Sequence, residues 1–441
     1  MKDLGETRPR TVLITLTGKD RPGVTSTVFG TLAEFAVEVL DIEQIVLRRR
    51  LILGLLVSEP RDWKALRRAL EEVATDLGMN VEVDKGAGDN RARPEGRSHV
   101  TVLGQPLKSS TVAAIAGRIA DTGANIDRIE RMARYPVTAI DLHVSGVAPD
   151  RLRTVLSKEA ARQGVDVAVQ SADLLRRGMR LIVMDVDSTL IQGEVIEMLA
   201  AHAGCEAEVA RVTGAAMRGE LDFASSLRER VALLAGLDAA VLDDVYDALV
   251  LAPGARTTVR TLKRLGYRFA IVSGGFTQIT DRLAAELGID FAAANELEVV
   301  GGRLTGRVVG EILDRAGKAR ALARFAAEHG IPMEQTVAVG DGANDLDMLN
   351  TAGLGIAFNA KPVVQEAAQA AVNVPYMDAV LYLLGIRREE VVAADAEAGF
   401  TTPEPVVREQ AHAALNQPYL DAVLQVLGFT RDEVLDAVPD N

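Results

Sequence analysis

The sequence predicts an α/β protein: a doubly wound parallel-sheet domain with a helical insertion, preceded by two ferredoxin-like βαββαβ modules. Three observations carry this expectation. The first 175 residues contain an internal repeat, and from about Met179 short apolar strands alternate with helices. Acidic and glycine-rich clusters then fall at the carboxyl ends of those strands. A chain of 441 residues has room for about three domains of ordinary size.

An offset of 87 residues brings Gly30 onto Gly117, Leu32 onto Ile119, Val39 onto Ile126 and Glu43 onto Glu130. In the first copy, Thr11–Thr17 reads as a strand and Val24–Phe35 as a helix. Two β-branched runs follow, Val39–Arg48 and Leu51–Val57, then a helix over Trp63–Leu77 and a strand at Asn80–Val83. The second copy runs from His99 to about Val169 after a linker, Gly86–Arg97, rich in Gly and Arg. The expected modules are therefore 11–86 and 98–172, each a small antiparallel sheet with two helices on one face.

The first loop reads Gly18-Lys19-Asp20-Arg21-Pro22-Gly23. Pro22 and Gly23 make a tight turn whose free N–H groups lie at a helix N-terminus, a seat for a carboxylate. This loop resembles that of ACT domains, and the resemblance covers 11–170 as two copies. It implies amino-acid sensing, with Gly18, Asp20 and Gly23 as the regulatory residues, and association through sheet edges into a homodimer or higher oligomer. The second copy has Gly104-Gln105-Pro106-Leu107 in the same place.

In the domain expected at 179–391, Leu181–Met184, Phe269–Val272, Thr336–Val339 and Leu354–Phe358 read as strands. The first three end in Asp185-Val-Asp187-Ser-Thr189, Ser273-Gly274-Gly275 and Gly340-Asp341-Gly342-Ala-Asn344-Asp345. Open α/β sheets bind ligands outside these carboxyl ends. Asp185 and Asp187 are two apart, and neighbouring carboxylates resist joint ionisation, so a cation or a shared proton is expected. The spacing is not that of an EF-hand, since Leu190 and Ile196 stand where Gly and Glu belong. A short oxygen-rich set with open positions suits Mg²⁺ together with water and a substrate phosphate.

The order Asp185-x-Asp187, Ser273, Lys318, Asp341 and Asp345 resembles the haloacid-dehalogenase-like phosphatases. The resemblance implies Asp185 as nucleophile, Asp187 as general acid and base, and Ser273 and Lys318 as stabilisers of the phosphoryl group. It implies Mg²⁺ on Asp185, Asp341 and the backbone carbonyl of Asp187, with Asp345 behind them. It further implies a helical cap at about 193–263. Glu194, Met217, Phe223, Arg230, Ser273, Gly274, Lys318 and Asn344 fall where members acting on O-phospho-L-serine hold their substrate. L-serine is then the product and the expected effector. The alternatives are another small phosphomonoester, a phosphotransferase, or a non-catalytic amino-acid sensor.

The remaining features exclude more than they assign. A net charge of −13 argues against nonspecific nucleic-acid binding and anionic membrane surfaces. One cysteine, Cys205, precludes an intrachain disulfide. No apolar run reaches membrane-spanning length, and Met1–Glu6 has no signal-peptide core, so a cytoplasmic protein is expected. The five histidines, His99, His143, His202, His329 and His412, show no metal-ligand spacing along the chain. The C-terminal stretch 396–441 holds a duplication: Lys361–Val391 and Glu404–Val434 are identical at 19 of 31 positions. The sequence suggests a copied docking edge or a dispensable tail.

Overall fold

Buried Val12, Ile14 and Leu16 alternate with more exposed neighbours along β1 (Arg10–Lys19), which makes it a central strand of the first sheet. The computed structural model describes residues 9–88, 96–172, 178–217 and 220–400. The chain divides into two units, 1–93 and 94–441. In the first, β1 is followed by α1 (Val24–Glu34), β2 (Val39–Leu47), β3 (Arg50–Ser58), α2 (Trp63–Asp76) and β4 (Asn80–Ala87). The antiparallel order is β2-β3-β1-β4. Val24, Val28 and Leu32 of α1, with Leu66, Leu70 and Ala74 of α2, close the core over one face. Asp62 starts α2 by accepting the Ala65 N–H at 3.0 Å.

The second unit begins with the same plan: β5 (Ser98–Gly104), α3 (Ser109–Asp121), β6 (Asn125–Ala133), β7 (Thr138–Ser145), α4 (Pro149–Gln163) and β8 (Asp166–Ser171), in the order β6-β7-β5-β8. Helices α3 and α4 cover Val100, Val102, Leu142 and Val144 on one face. On the other, Leu103, Met132, Ala139 and Ala168 share one core with residues of the domain that follows, among them Met377 and Val380. Polar groups tie the same seam. Asp166 accepts the Asn373 backbone N–H and side-chain amide, each at 2.7 Å, and the Gln170 amide donates to the Leu383 carbonyl at 2.8 Å.

That domain is built on β9 (Leu181–Met184), apolar at every position and buried on both faces, as a central parallel strand requires. An insertion follows: α5 (Val195–Ala203), α6 (Glu206–Met217), α7 (Phe223–Ala232) and α8 (Val241–Asp247). Then come α9 (Ala255–Arg264), β10 (Arg268–Phe276), α10 (Thr277–Leu287), β11 (Phe291–Val300), β12 (Arg303–Val309) and α11 (Arg315–Glu328). The rest is β13 (Thr336–Gly340), α12 (Leu346–Thr351), β14 (Leu354–Phe358), α13 (Pro362–Ala367), β15 (Ala370–Val372), α14 (Ala379–Leu383) and α15 (Arg388–Glu397). The seven-stranded order is β12-β11-β10-β9-β13-β14-β15, parallel throughout except for edge strand β12.

Alternate residues of β9 serve the two faces. Leu181 and Val183 meet Leu322 and Phe325 of α11, whereas Ile182 and Met184 join the core of Val259 and Leu262 of α9. Helix α9, the last of the stretch 193–263, lies against β10. Its Arg260 and Arg264 hold the buried Asp395 of α15. The duplicated segment Glu404–Val434 lies outside the described residues, as does the side chain of Met217. No helix among the described residues is long and apolar enough to cross a membrane.

Candidate active site

Three strand ends meet over the middle of the sheet. Asp185 ends β9, and its Oδ1 accepts the Val186 N–H and the Lys318 ammonium, both at 2.8 Å. Lys318 rises from the first turns of α11 and is 1% exposed; it also reaches Asp345 Oδ1 at 2.7 Å. Asp345, in the turn after β13, accepts the Gly342 N–H on its other oxygen at 3.0 Å. Gly340 has to be glycine, because a Cβ there would stand 2.5 Å from the Asp345 carboxyl carbon. Asp341 accepts the Thr189 hydroxyl at 3.0 Å.

Carboxylate oxygens of Asp185, Asp341 and Asp345 lie within 4.8 Å of one another. Burial drives the Asp185 carboxyl well above its ordinary range; Asp345 adds to this and Lys318 opposes it. Burial and Asp345 push Asp341 up to about 6. Burial alone would lower Lys318, but Asp185 and Asp345 outweigh it and raise the ammonium's pKa. Three carboxylates around one ammonium leave negative charge uncompensated in a largely dry site. An all-oxygen donor set of this kind fits a hard divalent cation such as Mg²⁺.

The Asp187 carboxylate faces elsewhere. Its Oδ1 accepts the Val195 N–H at the start of α5 (2.8 Å), and its Oδ2 accepts the Ser273 hydroxyl (2.8 Å). Ser273 Oγ in turn accepts the Gly275 N–H at 2.7 Å. A Cβ at Gly275 would fall 2.9 Å from that Oγ and 3.0 Å from Asp187 Oδ2, so the close approach needs glycine. Both Asp187 side-chain oxygens are thus engaged away from the Asp185–Asp341–Asp345 group.

A cleft opens above, floored by Asp185, Asp187, Asp341 and Asn344 and walled by Glu194, Phe223 and Arg230. Asp222 caps α7 through the Ser225 N–H at 2.9 Å, and Phe223, Leu227 and Arg230 then recur at helical spacing on the wall. Phe223 lies close over Gly274, where an added Cβ would stand 3.0 Å from its ring. Burial, then Asp187 and Asp341, push Glu194 up to about 7, while the Ser188 hydroxyl at 3.2 Å opposes this.

A raised carboxyl costs stability once it ionises, so the penalty is absent below its unfolded pKa and grows as pH rises towards 7. In metal-free protein, Glu194→Gln should therefore raise the melting temperature above pH 7 and change it little below pH 5. An unchanged melting temperature on the alkaline side would contradict this.

Family models match a haloacid dehalogenase-like hydrolase over 182–350 and ACT domains over 10–84 and 97–170. The phosphoserine phosphatase of Streptomyces coelicolor is 64% identical over 390 residues, 88% of this chain and 95% of its own. The phosphoserine phosphatase SerB2 of Mycobacterium tuberculosis is 55% identical, over 87% of this chain and 95% of its own. The chain belongs to the phosphoserine phosphatase family. Among solved structures, a probable phosphoserine phosphatase from Vibrio cholerae matches at 34% identity with a TM-score of 0.53, over 68% of this chain and 88% of that one.

In this chain, Asp185, Asp187, Glu194, Phe223, Arg230, Gly274, Asp341 and Asn344 all line one cleft. Ser273, Lys318 and Asp345 lie buried directly behind it. Gly18, Asp20 and Gly23 belong to the other unit. Sequence reasoning missed Ile196, Leu227 and Phe276 on the wall, the Thr189 hydroxyl and the Val195 N–H. Leu227 could have been found from its place between Phe223 and Arg230 on one helix face. The Val195 N–H carries no side-chain signal at all.

Proposed function

We propose that the protein hydrolyses O-phospho-L-serine to L-serine and phosphate through an aspartyl phosphate on Asp185. One observation carries the reading: the cleft that holds Asp185 and Asp187 also presents the Arg230 cation and the Glu194 carboxyl. Phosphoserine has a carboxylate for a two-pronged bond to Arg230 and an ammonium for Glu194, and a sugar phosphate has neither. Phe223, Gly274 and Asn344 complete the enclosure.

In the first step an Asp185 oxygen bonds to phosphorus as the P–O bond to serine breaks, and Asp187 gives its proton to the departing oxygen. In the second, Asp187 takes a proton from water, which attacks phosphorus and frees Asp185. Ser273 orients Asp187 throughout, and Lys318 offsets charge at the phosphoryl oxygens. Asp185, Asp341 and the Asp187 carbonyl would hold Mg²⁺, with Asp345 behind, and the bound ion supplies charge neutralisation of the phosphate.

Phosphate release from phosphoserine, phosphothreonine and glycerol phosphate, with and without Mg²⁺, tests the reading. Phosphoserine should be preferred and the reaction lost with chelator; equal rates on glycerol phosphate would overturn the substrate assignment. Arg230→Ala should lower kcat/KM for phosphoserine by about 1.5–3 kcal/mol, roughly 10- to 150-fold. Phosphoethanolamine, which lacks the carboxylate, should be affected far less. Equal losses on both would show that Arg230 serves the phosphate or the fold.

The same reading makes the enzyme the last step of serine biosynthesis, in a cytoplasmic homodimer or higher oligomer regulated by L-serine. Support comes from the loop before α1. Gly23 adopts the left-handed conformation (φ 95°) at the N-terminus of that helix, and Gly18 lies where a Cβ would meet Met79 at 2.5 Å. L-serine seated at the N-terminus of α1 should inhibit without competing with phosphoserine, and Asp20→Ala or Gly23→Ala should weaken the effect. Purely competitive inhibition, unaltered in both variants, would reject the site.

A further inference from the structure

The histidines that show no ligand spacing along the chain include two that the second module's sheet places face to face. Register pairs His99 of β5 directly with His143 of β7, and Asp141 stands two residues before His143 on the same face. Asp141 is 3% exposed, and the Thr101 hydroxyl holds its Oδ1 at 3.1 Å. Its Oδ2 faces His99 Nδ1 at 2.7 Å and His143 Nε2 at 3.7 Å. The second distance is too long for a hydrogen bond, so an ion among the three atoms would satisfy a nitrogen that the carboxylate alone does not reach. All three donor atoms lie within 4.8 Å of one another, and the imidazoles keep side-chain exposures of 17% and 32%, open to solvent.

We propose that His99, His143 and Asp141 form a transition-metal site of the Zn²⁺ class, bracing β5 to β7. Two imidazoles and one carboxylate are the donors such ions prefer, and the remaining position is left to water. Thr101 acts as the outer partner that fixes the carboxylate. The Asp185 group has oxygen donors alone, so the two sites separate by metal chemistry. The face concerned is the one that carries Leu103 and Ala139 into the shared core, so a brace there stiffens the seam between module and catalytic sheet. Nearby Glu130 is engaged by Arg128 at 2.9 Å and by Arg387, which keeps its charge from competing for the ion.

The test uses the full chain, stripped with chelator and then kept in saturating Mg²⁺ to fill the oxygen site. Calorimetric titration should find one Zn²⁺ per chain, and Co²⁺ should give the visible absorption of a low-coordinate ion with nitrogen ligands. Thr101→Val should weaken Zn²⁺ binding roughly 10- to 100-fold, and His99→Gln or His143→Gln by more. Phosphate release at saturating Mg²⁺ should be unchanged in all three. Zn²⁺ binding equal in wild type and histidine variants, or none in wild type, would leave His99–Asp141 a plain hydrogen bond and overturn the site. If a variant does not fold, the wild-type Co²⁺ spectrum under saturating Mg²⁺ decides the matter by itself.

Discussion

Replacing Asp185 with asparagine is expected to lower turnover by about 10⁴-fold or more, the scale of a lost covalent catalyst, while leaving the metal-free fold no less stable. The amide keeps an oxygen that can accept from the Val186 N–H and from Lys318, so the strand end retains its shape. What disappears is the charged oxygen that would attack phosphorus. Burial and Asp345 hold the Asp185 carboxyl well above its ordinary pKa, which means that its ionised form is costly in the folded state. The sign follows: that cost is absent below the unfolded pKa and grows as pH rises towards the folded one. Asp185→Asn removes it near neutral pH. Single-turnover phosphate release and melting of the metal-free protein, measured together, check both halves. Near-normal turnover would sink the covalent mechanism. A clear drop in melting temperature would show that the bond to Lys318 outweighs the repulsion from Asp345.

Lys318→Met should be damaging in both respects. The ammonium stands 2.8 Å from Asp185 and 2.7 Å from Asp345, and all three groups are buried. Removing one partner from such a cluster leaves uncompensated charge, at a cost of about 3–5 kcal/mol. The carboxylates hold the Lys318 pKa above its ordinary value, so its contribution is complete at neutral pH and fades only on the alkaline side. Acidification should shrink the variant's deficit, because Asp185 protonates at an unusually high pH. Adding Asp345→Asn should recover part of the stability and none of the turnover. Denaturant unfolding and phosphate release provide the two readings. Unchanged unfolding in Lys318→Met would mean that water, not the ammonium, screens the carboxylates.

Much of this architecture is written locally. The apolar run Leu181–Met184 reads as a doubly covered strand, and the rule that α/β sheets bind at their carboxyl ends then points to Asp185, Ser273 and Asp341 before any contact is known. The repeat at 87 residues likewise announces two modules of one plan, since burial periodicity depends on each residue's own surroundings. Partners are another matter. Ser273 meets Asp187 across 86 residues, and Lys318 reaches back over the sheet to Asp185. Asp166 finds Asn373 across 207 residues, one of the contacts that join the second module to the catalytic sheet. His99 and His143, unrelated by spacing, become neighbours through antiparallel register. Periodicity records whether a side chain is buried, but not what it is buried against. The crossing of distant strands and helices, decided by the packing of the whole core, determined those contacts.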